Sequence, residues 1–221
     1  SVLPIWHAYE RSAEYYFFSC GCSQTYTSIK YLKEDLPKVR PIIMATVPRL
    51  WEAIQIGLED VINKMPNYRK TFFKIALSNS INYKRFLRKT YSLWLDDLSF
   101  FARFLSCSHM LVRWPLHFLA AKFLWPKVVR KLSGGQLKYK FPINGGGAIA
   151  PHVDAFFEGL GIELLVGYGL TETSPVLSCR RPWRNLRGSS GTPLPDTEFK
   201  IVDQETFCQK SCREKGRVLV R

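Results

Sequence analysis

At 221 residues, 46% of them hydrophobic, the chain is long and apolar enough to form a real core, as one domain or as part of a larger one. This excludes a small fold that depends on disulfide bonds, so the six cysteines are expected to be reduced thiols. The net charge of +14 raises nucleic-acid binding as a hypothesis, but the sequence contains no recognised nucleic-acid-binding motif. We therefore expect no nucleic-acid partner.

The positive charge is concentrated in residues 61–131. This segment contains 14 Lys and Arg against two acidic residues, Asp96 and Asp97, and so carries +12 of the chain's net charge of +14. It also contains 14 of the 31 aromatic residues. We interpret the segment as a basic, aromatic helical insert in a nearly neutral frame.

Hydrophobic periodicity and turn residues predict the order of the helices and strands. The predicted elements are a helix over Ile29–Val39, a buried strand over Pro41–Val47, a helix over Leu50–Met65, a mostly helical stretch over Asn67–Lys131 with breaks at Pro115 and Pro126, a strand over Lys138–Ile143, a helix over Pro151–Leu160, a strand over Ile162–Val166, and a hairpin that pairs Glu198–Val202 with Arg217–Val220. Strands and helices alternate from Pro41 to Val166, which predicts an α/β sheet.

A glycine-rich turn, Asn144 to Ala148, lies between a predicted strand and the predicted helix that begins at Pro151. Glycines permit positive φ angles and allow a flat ligand to approach the backbone closely. The helix N-terminus that follows favours anions. On its own such a turn is weak evidence for a binding site, since many tight turns are rich in glycine.

A second loop follows the next predicted strand and contains the sequence from Gly167 to Pro175, GYGLTETSP. Its residues Tyr168, Thr171 and Glu172 carry an aromatic ring, a hydroxyl and a carboxylate within five positions. They lie near the strand end where open α/β sheets bind ligands. An aromatic ring can stack on a base, a hydroxyl can donate to a phosphate, and a carboxylate can hold Mg2+ against that phosphate. Because consecutive strands are commonly neighbours, we expect the two loops to flank one nucleotide.

The nine residues from Gly167 to Pro175 resemble the YGLTE signature of adenylate-forming enzymes, the acyl-CoA synthetase and luciferase superfamily. The resemblance implies an α/β fold with mixed sheets flanked by helices and a following β-hairpin, as found in the large N-terminal domain of that family. It also implies that ATP binds here. Gly146, Gly147 and Ala148 match the family's adenine-contacting turn, and Tyr168, followed by Gly169, matches the tyrosine that stacks on adenine.

Three further residues receive catalytic roles from the resemblance. Thr171 matches the threonine that hydrogen-bonds the α-phosphate, and Glu172 matches the glutamate that binds Mg2+. His7 lies in the sequence Pro4 to Arg11, which resembles a PL-x-H-x-x-ER pattern of long-chain acyl synthetases, and would position the carboxylate and acyl group. The alternative for His7 is a histidine buried in the core beside Trp6.

The resemblance extends over nearly all of residues 1–221 and is tightest to plant and cyanobacterial long-chain acyl-activating enzymes. It implies a partial AMP-binding domain from a long-chain fatty acid ligase that uses ATP and Mg2+, with acyl carrier protein as the favoured thiol acceptor and coenzyme A next. It also implies a chloroplast location, in the stroma or at the envelope surface. We expect the chain to be an internal fragment and inactive alone, because the family's phosphate loop precedes His7 and its catalytic lysine follows Arg221. The alternative is a truncated, non-catalytic homologue that binds a membrane or a partner.

The basic insert, residues 61–131, has three open interpretations. Its tryptophans with flanking Lys and Arg suit a helix at a membrane interface, which predicts peripheral membrane association. A basic face also suits docking of an acidic acyl carrier protein. The third interpretation is a solvated helical hairpin that packs on the core.

Overall fold

The computed structural model describes residues 1–133, 142–211 and 213–221. Its helices are α1 (Ala8–Ser19), α2 (Leu32–Val39), α3 (Pro48–Asn63), α4 (Asn67–Thr90), α5 (Phe100–Leu119), a π-helical turn (Ala120–Leu124), α6 (Trp125–Ser133), α7 (Pro151–Gly159) and a 3-10 turn (Thr171–Thr173). Its strands are β1 (Ala45–Thr46), β2 (Ile143–Asn144), β3 (Leu165–Gly169), β4 (Val176–Cys179), β5 (Thr192–Pro193), β6 (Phe199–Val202) and β7 (Arg217–Val220).

The strands form a mixed sheet and a separate hairpin. In the sheet the order is β1-β2-β3-β4-β5, with β1, β2 and β3 parallel and β4 and β5 antiparallel to their neighbours. Strands β6 and β7 pair with each other, with Phe199 opposite Val220. The predicted α/β fold and the predicted hairpin are therefore confirmed.

Apolar side chains from α3, α4, the π-helical turn, α6, α7 and the segment just before β3 form one core. Trp51 of α3 meets Phe157 of α7 edge to face at 4.8 Å between ring centroids, and Phe73 of α4 meets Trp125 of α6 in the same way at 5.4 Å. Leu164, just before β3, is fully buried among them. Helix α4 packs on α7, and α5 packs on the far side of α4. Within residues 61–131, α4 contacts both α5 and α7, and α5 is the outer helix.

The two breaks predicted in the helical stretch were wrong. The helix does not break at Pro115, which lies inside α5, nor at Pro126, which is the second residue of α6. A π-helical turn precedes Pro126, and in it the N–H of Trp125 donates to the carbonyl of Ala120, five residues back. This local change of hydrogen bonding accommodates a proline, which has no N–H to donate. The interruption lies instead between Thr90 and Phe100, where the chain reverses.

The strand predicted over Lys138–Ile143 falls mostly outside the described residues, and β2 begins at its last residue. Among the described residues Cys20, Cys22, Cys107, Cys179 and Cys208 are free thiols, as predicted, and Cys212 lies outside them. No helix in the described ranges combines the length and apolar character needed to span a membrane.

Candidate functional site

The glycine turn and the GYGLTETSP segment lie at the same edge of the sheet. Strands β2 and β3 are parallel neighbours, with Ile143 opposite Leu165 and Asn144 opposite Val166. The glycine turn leaves β2 directly after Asn144, and β3 continues past Val166 into the second segment. Both segments follow the carboxyl ends of adjacent parallel strands, so they lie at the edge where open α/β sheets bind ligands.

The glycine turn is exposed to solvent at Gly146, Gly147 and Ala148, and its first glycine, Gly145, packs on helix α1. Gly146 has a φ of 76°, in the left-handed region, and Gly146, Gly147 and Ala148 are exposed to solvent. Gly145 is buried against the ring of Tyr9, where an added Cβ would lie 3.1 Å from the ring. The Tyr9 hydroxyl donates to the carbonyl of Ile143 at 2.9 Å, and burial raises the pKa of Tyr9 above its ordinary value. Helix α1 therefore holds the base of the turn.

Tyr168 lies within β3, because this strand runs from Leu165 to Gly169 and not over the predicted Ile162–Val166. The strand is longer at this end because Gly167, Tyr168 and Gly169 pair with the antiparallel strand β4, which the sequence did not predict. The Tyr168 ring is half-buried at the sheet edge. An added Cβ on Gly169 would lie 2.7 Å from the carbonyl carbon of Pro175 and 2.9 Å from the Cα of Val176, so only glycine fits there.

Thr171 and Glu172 lie on the short 3-10 turn after β3. The hydroxyl of Thr173 accepts a hydrogen bond from the N–H of Leu170 at 3.0 Å, and this contact fixes the turn. The side chains of Thr171 and Glu172 are exposed and form no hydrogen bond or ion pair with any residue that the structure describes. A hydroxyl and a carboxylate thus project from this turn into solvent.

The residues at this turn fit Mg2+ bound together with a nucleotide. Within residues 1–133, 142–211 and 213–221, no three His, Cys, Asp or Glu side chains come together as a metal site. Mg2+ is commonly held by one or two carboxylates and the phosphates of a substrate, without an all-protein cage. The single available carboxylate of Glu172 matches that mode of binding.

His7 caps the N-terminus of α1 and is exposed. Its Nδ1 atom accepts a hydrogen bond from the N–H of Tyr9 at 3.2 Å. Its exposure rules out the alternative of a histidine buried in the core. Because Tyr9 contacts Gly145 and Ile143, His7 lies near the edge of the sheet that carries the glycine turn.

A buried ionic cluster, which the sequence analysis missed, forms around the two carboxylates of α7. Its members are Arg88 of α4, Asp154 and Glu158 of α7, and Arg180 and Arg187 of the segment after β4. Nε of Arg88 donates to Glu158 Oε1 at 2.6 Å, and Nη1 of Arg180 donates to Asp154 Oδ2 at 2.8 Å. Burial lowers the pKa of Arg187, and the nearby charge of Arg88 lowers it further. The cluster joins the basic insert to α7 and to the segment after β4.

The sequence contained one signal for this cluster. Asp154 and Glu158 are four residues apart on α7, a helix otherwise built from apolar residues, so both carboxylates fall on one face. An acidic pair on a buried helix must find cationic partners, because unpaired buried charges are costly. The partner arginines are distant in sequence and could not be identified without the fold.

We predict that Arg88→Met destabilises the protein by about 3–5 kcal/mol, because it leaves Glu158 buried without its main cationic partner. The matched control is Lys84→Met, which removes a partly exposed partner 4.0 Å from Glu163 and is expected to cost less than about 1 kcal/mol. Chemical denaturation of both variants measures the difference. Equal effects of the two substitutions would contradict the assigned role of Arg88.

The arrangement at the sheet edge agrees with the family that the sequence resembles. All of residues 1–221 match the family model described as AMP-binding enzyme. The chain belongs to the AMP-binding enzyme family. The fold expected from the resemblance is thus supported by the match as well as by the sheet topology.

Two curated relatives of this family member come from Arabidopsis thaliana. Probable acyl-activating enzyme 16, chloroplastic, is 38% identical over 241 residues, and this alignment covers 100% of the chain and 31% of the relative. Long-chain-fatty-acid–[acyl-carrier-protein] ligase AEE15, chloroplastic, is 38% identical over 233 residues, with the same coverage of 100% and 31%. The chain thus spans about a third of the length of these relatives.

A solved structure shows the same fold. The long-chain-fatty-acid-CoA ligase FadD1 from Archaeoglobus fulgidus superposes with a TM-score of 0.55 and 13% sequence identity. The superposition covers 100% of the chain and 33% of that protein. At this identity the likeness concerns the fold alone, a mixed α/β architecture shared with part of an adenylate-forming enzyme.

Proposed function

We propose that the chain is the nucleotide-binding part of a long-chain fatty acid ligase. In the proposed reaction the fatty acid carboxylate attacks the α-phosphorus of ATP, which gives an acyl-adenylate and pyrophosphate. A thiol then takes the acyl group and AMP leaves. The single observation that carries the proposal is the pairing of β2 with β3, which brings the glycine turn and the Tyr168–Glu172 segment to one edge.

Each residue of this edge has a distinct task in the proposal. The exposed backbone of Gly146, Gly147 and Ala148 lets the adenine approach closely, and Tyr168 stacks on the base. Gly169 packs closely against Pro175 and Val176, and this packing fixes the position of the 3-10 turn that begins at Thr171. These residues bind and orient the nucleotide and move no proton.

Thr171, Glu172 and His7 act nearer to the reacting groups. The Thr171 hydroxyl donates to the α-phosphate, and the Glu172 carboxylate holds Mg2+, which supplies positive charge against the ATP phosphates when bound. His7 lies at the helix start beside the turn and positions the fatty acid carboxylate. Alignment of the reactants and neutralisation of charge account for much of the acceleration in such a displacement.

The names of the relatives support a proposed thiol acceptor and a proposed location. One Arabidopsis relative is named a long-chain-fatty-acid–[acyl-carrier-protein] ligase, which supports acyl carrier protein as the thiol acceptor, with coenzyme A as the alternative. Both Arabidopsis relatives are named chloroplastic, which supports a chloroplast location, in the stroma or at the envelope surface. Peripheral membrane association belongs to the same proposal, because long-chain fatty acids partition into membranes.

Substitution of Tyr168 tests the nucleotide site. In the full-length protein Tyr168→Ala should raise the KM for ATP roughly tenfold, since stacking of a base on an aromatic ring is worth about 1–3 kcal/mol. Tyr168→Phe keeps the ring and should leave KM near the wild-type value, because the hydroxyl forms no hydrogen bond with the described residues. The measurement is fatty-acid-dependent exchange of pyrophosphate into ATP. An unchanged KM in Tyr168→Ala would contradict the stacking role.

A further inference from the structure

Helix α5 and the π-helical turn expose a continuous apolar stripe. Its members recur at three- and four-residue spacing, which places them on one face of the helix. Phe100 is 87% exposed, Val112 is 77% exposed and Phe101 is 67% exposed. The other large apolar members are Phe104, Leu105, Leu111, Phe118, Leu119 and Phe123, and all of them are exposed.

The opposite face of the same helix, which packs on α4, includes small and polar residues. Ser106 and Ala120 are buried there. The half-buried His117 ring lies with its Nδ1 3.0 Å from the hydroxyl of Ser80, and Nε1 of Trp125 donates to that hydroxyl at 3.1 Å. Burial lowers the pKa of His117 to about 4, so its ring is neutral at pH 7. The helix therefore exposes its largest apolar side chains, together with the polar side chains of Arg103, Ser108, His109 and Lys122.

This distribution differs from that expected for a helix that faces water. A surface helix in water normally directs its apolar stripe to the core and its polar residues to solvent. Contiguous exposed apolar patches mark an interaction surface. The distribution indicates that the outer face of α5 is covered by something apolar.

The charges around the stripe identify what covers it. Residues 98–133 contain no Asp or Glu. Within the stripe the charged residue is Lys122, whose ammonium group lies over the rings of Phe118 and Phe123 at 5.9 and 5.4 Å. Exposed Arg103, Lys127 and Arg130 lie on the same acid-free stretch. An apolar face carried by a stretch whose charged residues are all cationic matches the interface of an anionic lipid bilayer.

Two protein occupants match the surface less well. A second copy of the chain would bring two cationic, acid-free surfaces together, and like charges across an interface are unfavourable. An acidic carrier protein would match the basic residues but would place its charged side chains against Phe104, Leu111 and their neighbours, where they would be desolvated without partners.

We infer that the outer face of α5 lies in the interface of an anionic membrane and holds the ligase at the surface where its fatty acid substrate is dissolved. The inference deepens the proposed membrane association and rests on the proposed function for the identity of that substrate. A helix in this position buries its apolar face below the headgroups and leaves flanking Lys and Arg at the level of the phosphates.

The test is flotation of the full-length protein with vesicles of phosphatidylcholine and phosphatidylglycerol. The variant Phe104→Gln/Leu111→Gln/Phe118→Gln should bind the vesicles roughly 100-fold more weakly than the wild type, because three exposed apolar side chains no longer enter the bilayer. The matched control, Trp183→Gln/Phe207→Gln, removes two exposed aromatic rings elsewhere and should bind as the wild type does. All three α5 side chains are exposed, so the variant should keep its helical circular dichroism.

A charge variant distinguishes binding to anionic lipid from binding to another protein. Lys127→Gln/Arg130→Gln should weaken binding to the anionic vesicles by about fivefold per charge and have little effect on vesicles of phosphatidylcholine alone. The inference is overturned if the wild type does not float, if the triple variant floats as the wild type does, or if the triple variant changes only self-association or carrier-protein binding.

Adenylation of a fatty acid supplied in detergent micelles is measured in parallel. It should be unchanged in the triple variant, because the altered residues lie outside the candidate nucleotide site. If the wild type floats but forms no adenylate, the proposed function fails and the membrane surface stands. If the wild type forms adenylate but does not float, the membrane inference fails and the proposed function stands.

Discussion

Glu172→Ala in the full-length protein should lower the rate of Mg2+-dependent acyl-adenylate formation by at least about 100-fold, the scale expected when charge stabilisation is lost from an active site. The Glu172 carboxylate is exposed and forms no hydrogen bond or ion pair with the described residues. Its removal should therefore leave the free energy of unfolding unchanged. The measurement is single-turnover formation of acyl-adenylate across a Mg2+ titration.

The control for Glu172 is Glu205→Ala, which removes another exposed carboxylate, in the segment between β6 and β7. It should form acyl-adenylate at the wild-type rate. Because both substitutions remove one negative charge, they change the net charge equally. Undiminished adenylation by Glu172→Ala, at every Mg2+ concentration, would disprove the role assigned to Glu172.

Gly169→Ala should destabilise the protein by about 3 kcal/mol and also abolish adenylation, because overpacking against backbone atoms forces the main chain to move. The added Cβ would lie 2.7 Å from the carbonyl carbon of Pro175 and 2.9 Å from the Cα of Val176. Neither atom is the end of a flexible side chain. The shift would displace the turn that carries Thr171 and Glu172.

The control for Gly169 is Gly57→Ala on α3. A Cβ at Gly57 would meet no atom within 4 Å, and alanine is favoured over glycine inside a helix by roughly 0.5–1 kcal/mol. This variant should therefore be slightly more stable and equally active. Thermal and chemical unfolding of both variants give the comparison, and a Gly169→Ala protein as stable and active as wild type would show that β3 and β4 can separate without consequence.

Much of the α/β frame could be predicted from sequence because its signals are local. Helix α7 begins at Pro151 and ends at Gly159, and a proline at the start and a glycine at the end are common helix boundaries. The strands of the hairpin, β6 and β7, coincide with short runs of alternating or continuous apolar residues. The neighbouring positions of β2 and β3 followed from their order in the chain. The same rule predicted that the glycine turn and the YGLTE segment lie close together.

Other elements could not be predicted because distant residues decide them. Helix α1 buries Glu10 and Glu14, so its buried face is not marked by apolar residues at helical spacing. Strands β4 and β5 are short and contain Ser178, Cys179 and Pro193, so their pairing with β3 and each other depends on the sheet already present. The buried ionic cluster likewise joins residues that are far apart in the chain.

The most direct test of the proposed function is fatty-acid-dependent exchange of pyrophosphate into ATP by the full-length protein. We predict exchange that requires Mg2+ and a long-chain fatty acid, and that falls sharply in Glu172→Ala but not in Glu205→Ala. Full-length protein that binds ATP but shows no exchange with any fatty acid would contradict the proposal that the β2–β3 edge belongs to a ligase. It would favour a non-catalytic role for this member of the family.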